Sequence, residues 1–160
     1  MTRVLRGFAP HMTAEPGVRD LSDDDYASLA QTRRLLRRYQ AFSERAAEAA
    51  GLEPRQYQLL LMLRGLAPNA EANVSDLADW LQVRHHSAVG LINRTEARGL
   101  VQRATDPHDG RRVRVRLTRA GRSALRGLAL QHQDELRSIA PGLLESLHHV
   151  IDAQAAPIHD

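Results

Sequence analysis

The sequence has no cysteine, which excludes disulfide bonds, thiolate metal sites and redox sensing through a thiol. It also has no run close to the roughly 18 consecutive apolar residues that a membrane-spanning helix needs, and residues 1–20 lack the apolar centre of a signal peptide. It carries no G-x-S-x-G, phosphate-loop or H-E-x-x-H motif. We therefore expect a cytoplasmic protein without enzymatic activity, cofactor, metal or membrane partner, in which residues 1–20 form a flexible leader.

Lysine and aromatic residues are also missing or scarce. All 22 Lys or Arg residues are arginine, and aromatics make up only 4% of the chain, so leucine, valine and alanine must fill the core. The arginines are clustered: residues 94–126 hold ten of them against three acids, a charge of +7 on a chain whose net charge is +3. Such a block favours a polyanionic partner, and the alternative is a solvated charged face.

Apolar residues at helical spacing, bounded by capping residues, predict four helices in the first hundred residues. Ser22 and Asp25 have the spacing of a capping box, and Gly51 is placed to end the first helix. The predicted helices cover about 22–50, 53–65, 75–82 and 84–98. The last two are short and joined by a tight turn, which is the helix-turn-helix arrangement.

A β-hairpin and two terminal helices are predicted after that pair. Residues 100–104 have strand composition, residues 106–110 are rich in turn formers, and residues 111–117 alternate valine or leucine with arginine. A hairpin in this place forms a wing. Thr118 is expected to cap a helix through Leu136, and Pro141 to open a separate last helix.

Three motifs, in the same order along the chain, resemble those of the MarR family. They are Asp-Pro-His-Asp-Gly-Arg at 106–111 followed by Leu-Thr-x-x-Gly at 117–121, the segment from Glu96 to Arg103, and Pro54-x-Gln56-Tyr57. The resemblance covers roughly residues 22–155. It implies a mainly α fold with a small β-hairpin, as one domain over 21–160. A winged helix-turn-helix DNA-binding lobe at about 53–118 would lie between dimerisation helices at 21–50 and 119–156.

The same resemblance implies a sequence-specific transcriptional regulator. Its partners would be double-stranded DNA and a second copy of the chain, and it would be a repressor released from a palindromic operator by a small aromatic or carboxylate-bearing effector. Two alternatives stay open. One is a zinc-responsive regulator of the same fold, in which His132, His148 and His149 of the terminal helices bind zinc across the dimer. The other is a winged helix that contacts protein instead of DNA.

The predicted DNA contacts lie on the helix-turn-helix and on the wing. Arg84 begins the recognition helix and has the fork geometry to bind guanine, while Arg111 at the wing tip would enter a minor groove, supported by Asp109. Gly90 indicates either close approach to DNA or tight helix packing. The full predicted set is Ser75, Arg84, His85, His86, Ser87, Gly90, Asn93, Arg94, Asp109, Arg111 and Arg112.

Four aromatic residues are candidates for the effector pocket, which the resemblance places between the dimerisation helices and the DNA-binding lobe. Arg38 would meet a carboxylate. The aromatic candidates are Tyr39, Phe42, Tyr57 and Trp80. The alternative for all four is ordinary core packing.

Overall fold

The computed structural model describes residues 21–66, 72–105 and 113–152; the predicted leader at 1–20 lies outside them. Five α-helices and three β-strands are present in this part of the chain. Their bounds are α1 Asp23–Ala49, α2 Pro54–Gly65, β1 Ala72–Asn73, α3 Val74–Trp80, α4 His85–Ala97, β2 Val101–Thr105, β3 Val113–Leu117 and α5 Arg119–Asp152. Among these helices, none combines the length and the apolar character needed to cross a membrane. The architecture is mainly helical with a small antiparallel sheet, as predicted.

Both ends of α1 follow from local chemistry and confirm the prediction. The Ser22 hydroxyl accepts the backbone N–H of Asp25 at 3.2 Å, and the Asp25 carboxylate accepts the backbone N–H of Ser22 at 2.9 Å. This capping box satisfies two N–H groups that the helix leaves unpaired. At the other end Gly51 has φ of 72°, where a Cβ is unfavourable, and the chain turns into α2.

The long C-terminal helix corrects one prediction. Pro141 does not open a separate helix but lies inside the continuous helix Arg119–Asp152. A proline in a helix interior loses one backbone hydrogen bond and costs about 3 kcal/mol. Contacts with α1 on both sides of Pro141 offset that cost: His132 meets Ser43 before it, and Thr32 donates a 2.9 Å hydrogen bond to Ser146 after it.

The sheet has one strand more than the predicted hairpin. β1 pairs antiparallel with β3, Ala72 opposite Val115, so the strand order is β1-β3-β2. The hairpin itself has the predicted strands, with Val101 opposite Leu117 and Thr105 opposite Val113. A strand of two residues has no alternation for sequence reasoning to detect, which explains why β1 was missed.

One core joins the lobe to the terminal helices. Its largest fully buried apolar side chains come from α2, α3, α4, β2 and β3: Leu59, Leu60, Leu77, Ile92, Val101 and Val115. Ala47 of α1 and Leu125 and Leu128 of α5 belong to the same cluster. The helix-turn-helix packs on α2, and α2 packs on α1 and α5, so one continuous core connects α4 to the terminal helices.

Candidate nucleic-acid interface

The first turn of α4, the predicted recognition helix, is exposed. Arg84 is its N-cap residue, and no side chain caps the helix there. The four predicted contacts at 84–87 are all exposed. The opposite stripe of α4 is buried, as predicted, and consists of Ala88, Leu91, Ile92 and Thr95. Unpaired amide groups and the positive end of the helix dipole lie beside Arg84, so this turn favours an acceptor-rich or anionic partner.

Gly90 lies further along α4 and is half-buried. A Cβ built at this position would meet only the Arg94 guanidinium, at 3.6 Å, which is an ordinary contact. Nothing else in the described residues lies within 4 Å of it, so the tight-packing alternative is wrong. The role of Gly90 in approach to DNA stays a prediction.

Asn93 and Arg94, two further predicted contacts, have partners within the chain. Arg94 donates to both carboxylate oxygens of Glu53, at 3.2 and 3.3 Å, which connects α4 to the start of α2. The Asn93 side-chain oxygen accepts a hydrogen bond from the Arg103 guanidinium of β2. Both side chains are exposed, so they lie beside the candidate surface while also holding α4 in place.

Ser75 is exposed in the first turn of α3, the first helix of the pair. That helix begins with a capping box in which Asn73 and Asp76 exchange two hydrogen bonds of 3.0 Å. Asn73 therefore supplies the cap of α3. The hydroxyl of Ser75 remains on the surface.

The wing strands leave the lobe beside α4, and the predicted contacts at its tip, Asp109, Arg111 and Arg112, lie outside the described residues. Along β3, Val115 is buried, and Arg116 is exposed. Val113, predicted to share the buried face, is 38% exposed because it is near the wing tip, beyond the core. The predicted alternation therefore holds at the base of β3.

The base of the wing explains the Leu-Thr-x-x-Gly motif. The Thr118 hydroxyl lies 2.7 Å from the carbonyl oxygen of Gly99 and accepts the backbone N–H of Gly121 at 3.0 Å. A Cβ on Gly121 would lie 2.0 Å from the carbonyl oxygen of Leu100, so glycine is required where α5 crosses the start of β2. Threonine and glycine together fix the junction of wing and α5.

Three of the predicted effector residues surround one histidine. His132 is buried and stacks on Tyr57 with ring centroids 4.1 Å apart, and the rings of Tyr39 and Phe42 meet it edge-on. Its two ring nitrogens lie 2.8 Å from the carbonyl oxygen of Leu128 and 2.9 Å from the hydroxyl of Ser43. Burial, and secondarily the neighbouring Tyr39, raise the pKa of Tyr57 to about 12. Tyr57 belongs to the buried core, and Tyr39 and Phe42 are half-buried beside His132, so their role in an effector pocket stays a prediction.

The other two predicted effector residues lie apart from that cluster. Arg38 forms an ion pair with Glu135 of α5 at 3.1 Å. Trp80 is 45% exposed at the end of α3, so the core interpretation is wrong for this residue. A tryptophan on a seven-residue helix faces solvent when the apolar stripe is carried by its neighbours Leu77 and Ala78, which are buried.

An open groove lies between α2 and α5, and sequence reasoning missed it. Its volume is about 560 Å³, and its apolar side includes Leu125 and Leu130. Three arginines line it: Arg64, Arg122 and Arg126. None has an acidic partner among the described residues. The i, i+4 spacing of Arg122 and Arg126 was the available signal, but Arg64 comes from a distant helix.

The histidines proposed for zinc are not grouped in one chain. Within the described residues no three His, Cys, Asp or Glu side chains are placed to hold a metal ion. His149 lies 4.0 Å from the carboxylate of Asp25, and both ring nitrogens of His132 have hydrogen-bond partners. Histidine at 132 therefore has a structural place in the core.

The terminal helices expose apolar side chains that the other described residues do not cover. On α1 these are Tyr26, Leu29 and Leu36, exposed by 43–58%. On the second half of α5 they are Leu136, Leu144, Leu147 and Ile151. Exposed apolar surface of this extent is characteristic of an interaction site.

Comparison with known proteins agrees with this geometry. Residues 50–112 match the model of the MarR family. The transcriptional activatory protein BadR of Rhodopseudomonas palustris is 36% identical over 85 residues, which are 53% of this chain and 49% of BadR. The match thus spans about half the length of that curated relative.

Solved structures match over most of the chain. AbsC, a MarR family transcriptional regulator of Streptomyces coelicolor, has 25% identity and a TM-score of 0.68, over 85% of this chain and 93% of AbsC. Sco3205 of the same organism, solved in complex with DNA, has 22% identity and a TM-score of 0.66, over 88% and 91% of the two chains. At this level of identity, the similarity to Sco3205 shows a shared fold. The family motifs lie on the described elements and in the matched segment, and the fold over most of the chain is that of the winged helix-turn-helix transcriptional regulators of the MarR family.

Proposed function

We propose that this protein is a homodimeric, sequence-specific repressor that binds a palindromic operator in the cytoplasm. The exposed first turn of α4 carries the proposal. A helix of this kind fits the major groove, where arginine binds the guanine edge with two hydrogen bonds. The arginine-rich wing beside it would contact the adjacent minor groove and phosphates. The fold shared with Sco3205, which was solved in complex with DNA, supports the same arrangement.

A second copy of the chain completes the proposed DNA-binding unit. The apolar faces of α1 and α5 supply a surface for association, and a two-fold dimer presents two α4 helices. Two recognition helices about 34–36 Å apart would enter successive major grooves on one face of the duplex. Each half-site of the operator is then read by one protomer.

Release by an effector is proposed for the groove between α2 and α5. Three guanidinium groups that have no acidic partner among the described residues favour a carboxylate, and the leucines beside them favour an aromatic body. A ligand that binds one arrangement of α5 and the lobe better than the other shifts the protein toward it. Titration of benzoate-type acids into the DNA complex tests this, with Arg126→Ala as the variant and Arg137→Ala as its charge control. No release by any such acid contradicts the effector proposal.

Selection of genomic DNA fragments on the purified protein, followed by footprinting, tests the function. We expect a palindromic sequence protected on one face, with affinity that falls steeply as salt rises. Transcription from the selected promoter, measured with and without the protein, distinguishes repression from activation. The repressor proposal requires transcription to decrease when the protein is present. An increase would instead agree with the name of BadR, an activatory protein. Equal binding to all fragments would contradict sequence-specific recognition.

A further inference from the structure

Glu96, in the last turn of α4, is bonded to the wing through both of its carboxylate oxygens. One oxygen accepts the backbone N–H of Arg103 at 2.7 Å, and the other accepts the guanidinium of the same residue at 2.7 Å. Arg103 lies in the middle of β2, opposite Val115 of β3. The recognition helix and the wing are therefore connected by one carboxylate that holds a main-chain and a side-chain group together.

The backbone contact is possible because β2 is an edge strand. The strand order β1-β3-β2 leaves one side of β2 without a neighbouring strand in the described sheet. The N–H of Arg103 points to this free side, where an edge strand would otherwise offer an unpaired donor. Glu96 thus acts as a local substitute for a neighbouring strand.

Asn93 adds a third point of attachment. Its side-chain oxygen accepts a hydrogen bond from the second terminal nitrogen of the Arg103 guanidinium. Asn93 and Glu96 are three residues apart, so they lie on the same face of α4, one turn from each other. A planar guanidinium that binds two groups one turn apart fixes both the position and the rotation of β2 relative to α4. Lysine, with a single ammonium, has no such geometry.

We propose that Arg103 is a positioning residue for DNA recognition: it sets the angle between α4 and the wing, and through that angle the preference for one operator sequence. The proposal rests on the function proposed above. The major-groove contacts come from α4 and the minor-groove contacts from the wing, so their separation must match the distance between grooves. Arg103 acts on specificity through this separation and not through contact with DNA.

The surroundings of Arg103 separate this role from that of a phosphate contact. Its charge is paired with Glu96, and the two side chains are only 27% and 35% exposed. In contrast, the side chain of Arg137 on α5 is 70% exposed, and within the described part of the chain it pairs only with Asp134 on the same helix, at 3.4 Å. Arg137 is therefore a matched control for the loss of one positive charge.

The test compares Arg103→Met, Arg103→Lys, Glu96→Gln and Arg137→Met with the parent protein. Binding to the selected operator and to an unrelated duplex of equal length is measured at several salt concentrations, well below each melting temperature. For the first three variants we expect operator affinity to fall by about three- to tenfold, as for the loss of a partly exposed ion pair with its hydrogen bonds. Affinity for the unrelated duplex and the salt dependence should stay the same.

Glu96→Gln is the decisive variant because an effect of net charge and an effect on the position of the wing change operator affinity in opposite directions. Removal of an acid from the DNA-binding lobe strengthens binding to every duplex if only charge counts. The proposal requires weaker operator binding instead. Arg137→Met should retain the parent's operator preference.

Four outcomes would overturn the proposal. The first is tighter DNA binding by Glu96→Gln, and the second is a salt slope reduced by about one unit in Arg103→Met, which marks a phosphate contact. The third is a sequence preference like that of the parent in both Arg103→Met and Arg103→Lys. The fourth is an equal loss of affinity for both duplexes, which marks a general loss of folded protein. The parent protein is the separate check on the proposed function. If it has no sequence preference, the function itself is wrong, and Arg103 has nothing to position.

Discussion

Replacement of Gly121 by alanine should destabilise the protein, although alanine is the better helix former. The new Cβ would lie 2.0 Å from the Leu100 carbonyl oxygen, 3.0 Å from its carbon and 3.1 Å from a methyl group of Leu117. Close C–H···O contacts in proteins are about 3.3 Å or longer, so the first turn of α5 would have to move by roughly 1.3 Å. Backbone atoms form the obstacle, and no change of rotamer removes it.

The magnitude follows from three terms. Overpacking costs about 1–3 kcal/mol, and sometimes more. The movement also breaks the Thr118 cap, whose hydroxyl accepts the backbone N–H of Gly121 at 3.0 Å, and a lost cap costs about 1 kcal/mol. Alanine returns about 1 kcal/mol of helix propensity. The net loss is about 1–3 kcal/mol, which lowers the melting temperature by about 2–12 °C for a chain of this length.

Gly127 supplies the matched control, because it lies in the same helix and a Cβ there would meet nothing within 4 Å. Gly127→Ala should raise stability by up to about 1 kcal/mol. Thermal unfolding followed by circular dichroism, at one fixed protein concentration, compares the two variants with the parent. If Gly121→Ala melts at or above the temperature of the parent, the steric argument is refuted.

Four further predictions concern binding, assembly and pH. Arg111→Ala, at the predicted wing tip outside the described residues, should weaken operator binding by about 1–3 kcal/mol in a gel-shift titration and leave the dimer intact. Arg84→Ala should relax preference at particular base pairs when binding is measured across a set of mutated operators; a uniform loss would make Arg84 a phosphate contact. Leu36, 52% exposed on α1, should lie in the dimer interface, so Leu36→Glu should give a monomer in sedimentation where the parent is a dimer at micromolar concentration. The pKa of Tyr57, raised from 10.0 to about 12, means that the fold disfavours its phenolate; the free energy of unfolding should fall as the pH rises from 10 to 12, and Tyr57→Phe should weaken this dependence.

Features fixed by local chemistry were predictable from the sequence. The capping box of Ser22 and Asp25 needs only residues three apart, and the structure has both of its hydrogen bonds. The start of α4 at Arg84 and the buried stripe behind it follow from helical periodicity in the same way. The motifs of the wing base also have local meaning, because Thr118 and Gly121 act on one turn of helix.

Features that depend on distant contacts were not predictable. Pro141 is a strong local signal for a helix boundary, but packing on α1 keeps α5 continuous through it. Trp80 is apolar and was interpreted as core, although the fold leaves it 45% exposed. The groove lined by Arg64 and Arg126 joins two helices that are far apart in sequence. For Pro141 and for the groove, the deciding partner lies tens of residues away.

The arginines of residues 94–126 show why a charge count overstates the surface available to DNA. Arg94 is paired with Glu53, and Arg103 with Glu96. The guanidinium of Arg98 donates hydrogen bonds to the side-chain oxygen of Gln56 at 2.6 Å and to the carbonyl oxygen of Gly51 at 2.7 Å. These three residues hold α4 against α2 and the wing. The sequence shows a basic block of +7, but part of that charge positions the recognition helix. The salt dependence of operator binding should therefore reflect fewer phosphate contacts per protomer than the ten arginines suggest, with the wing supplying most of them.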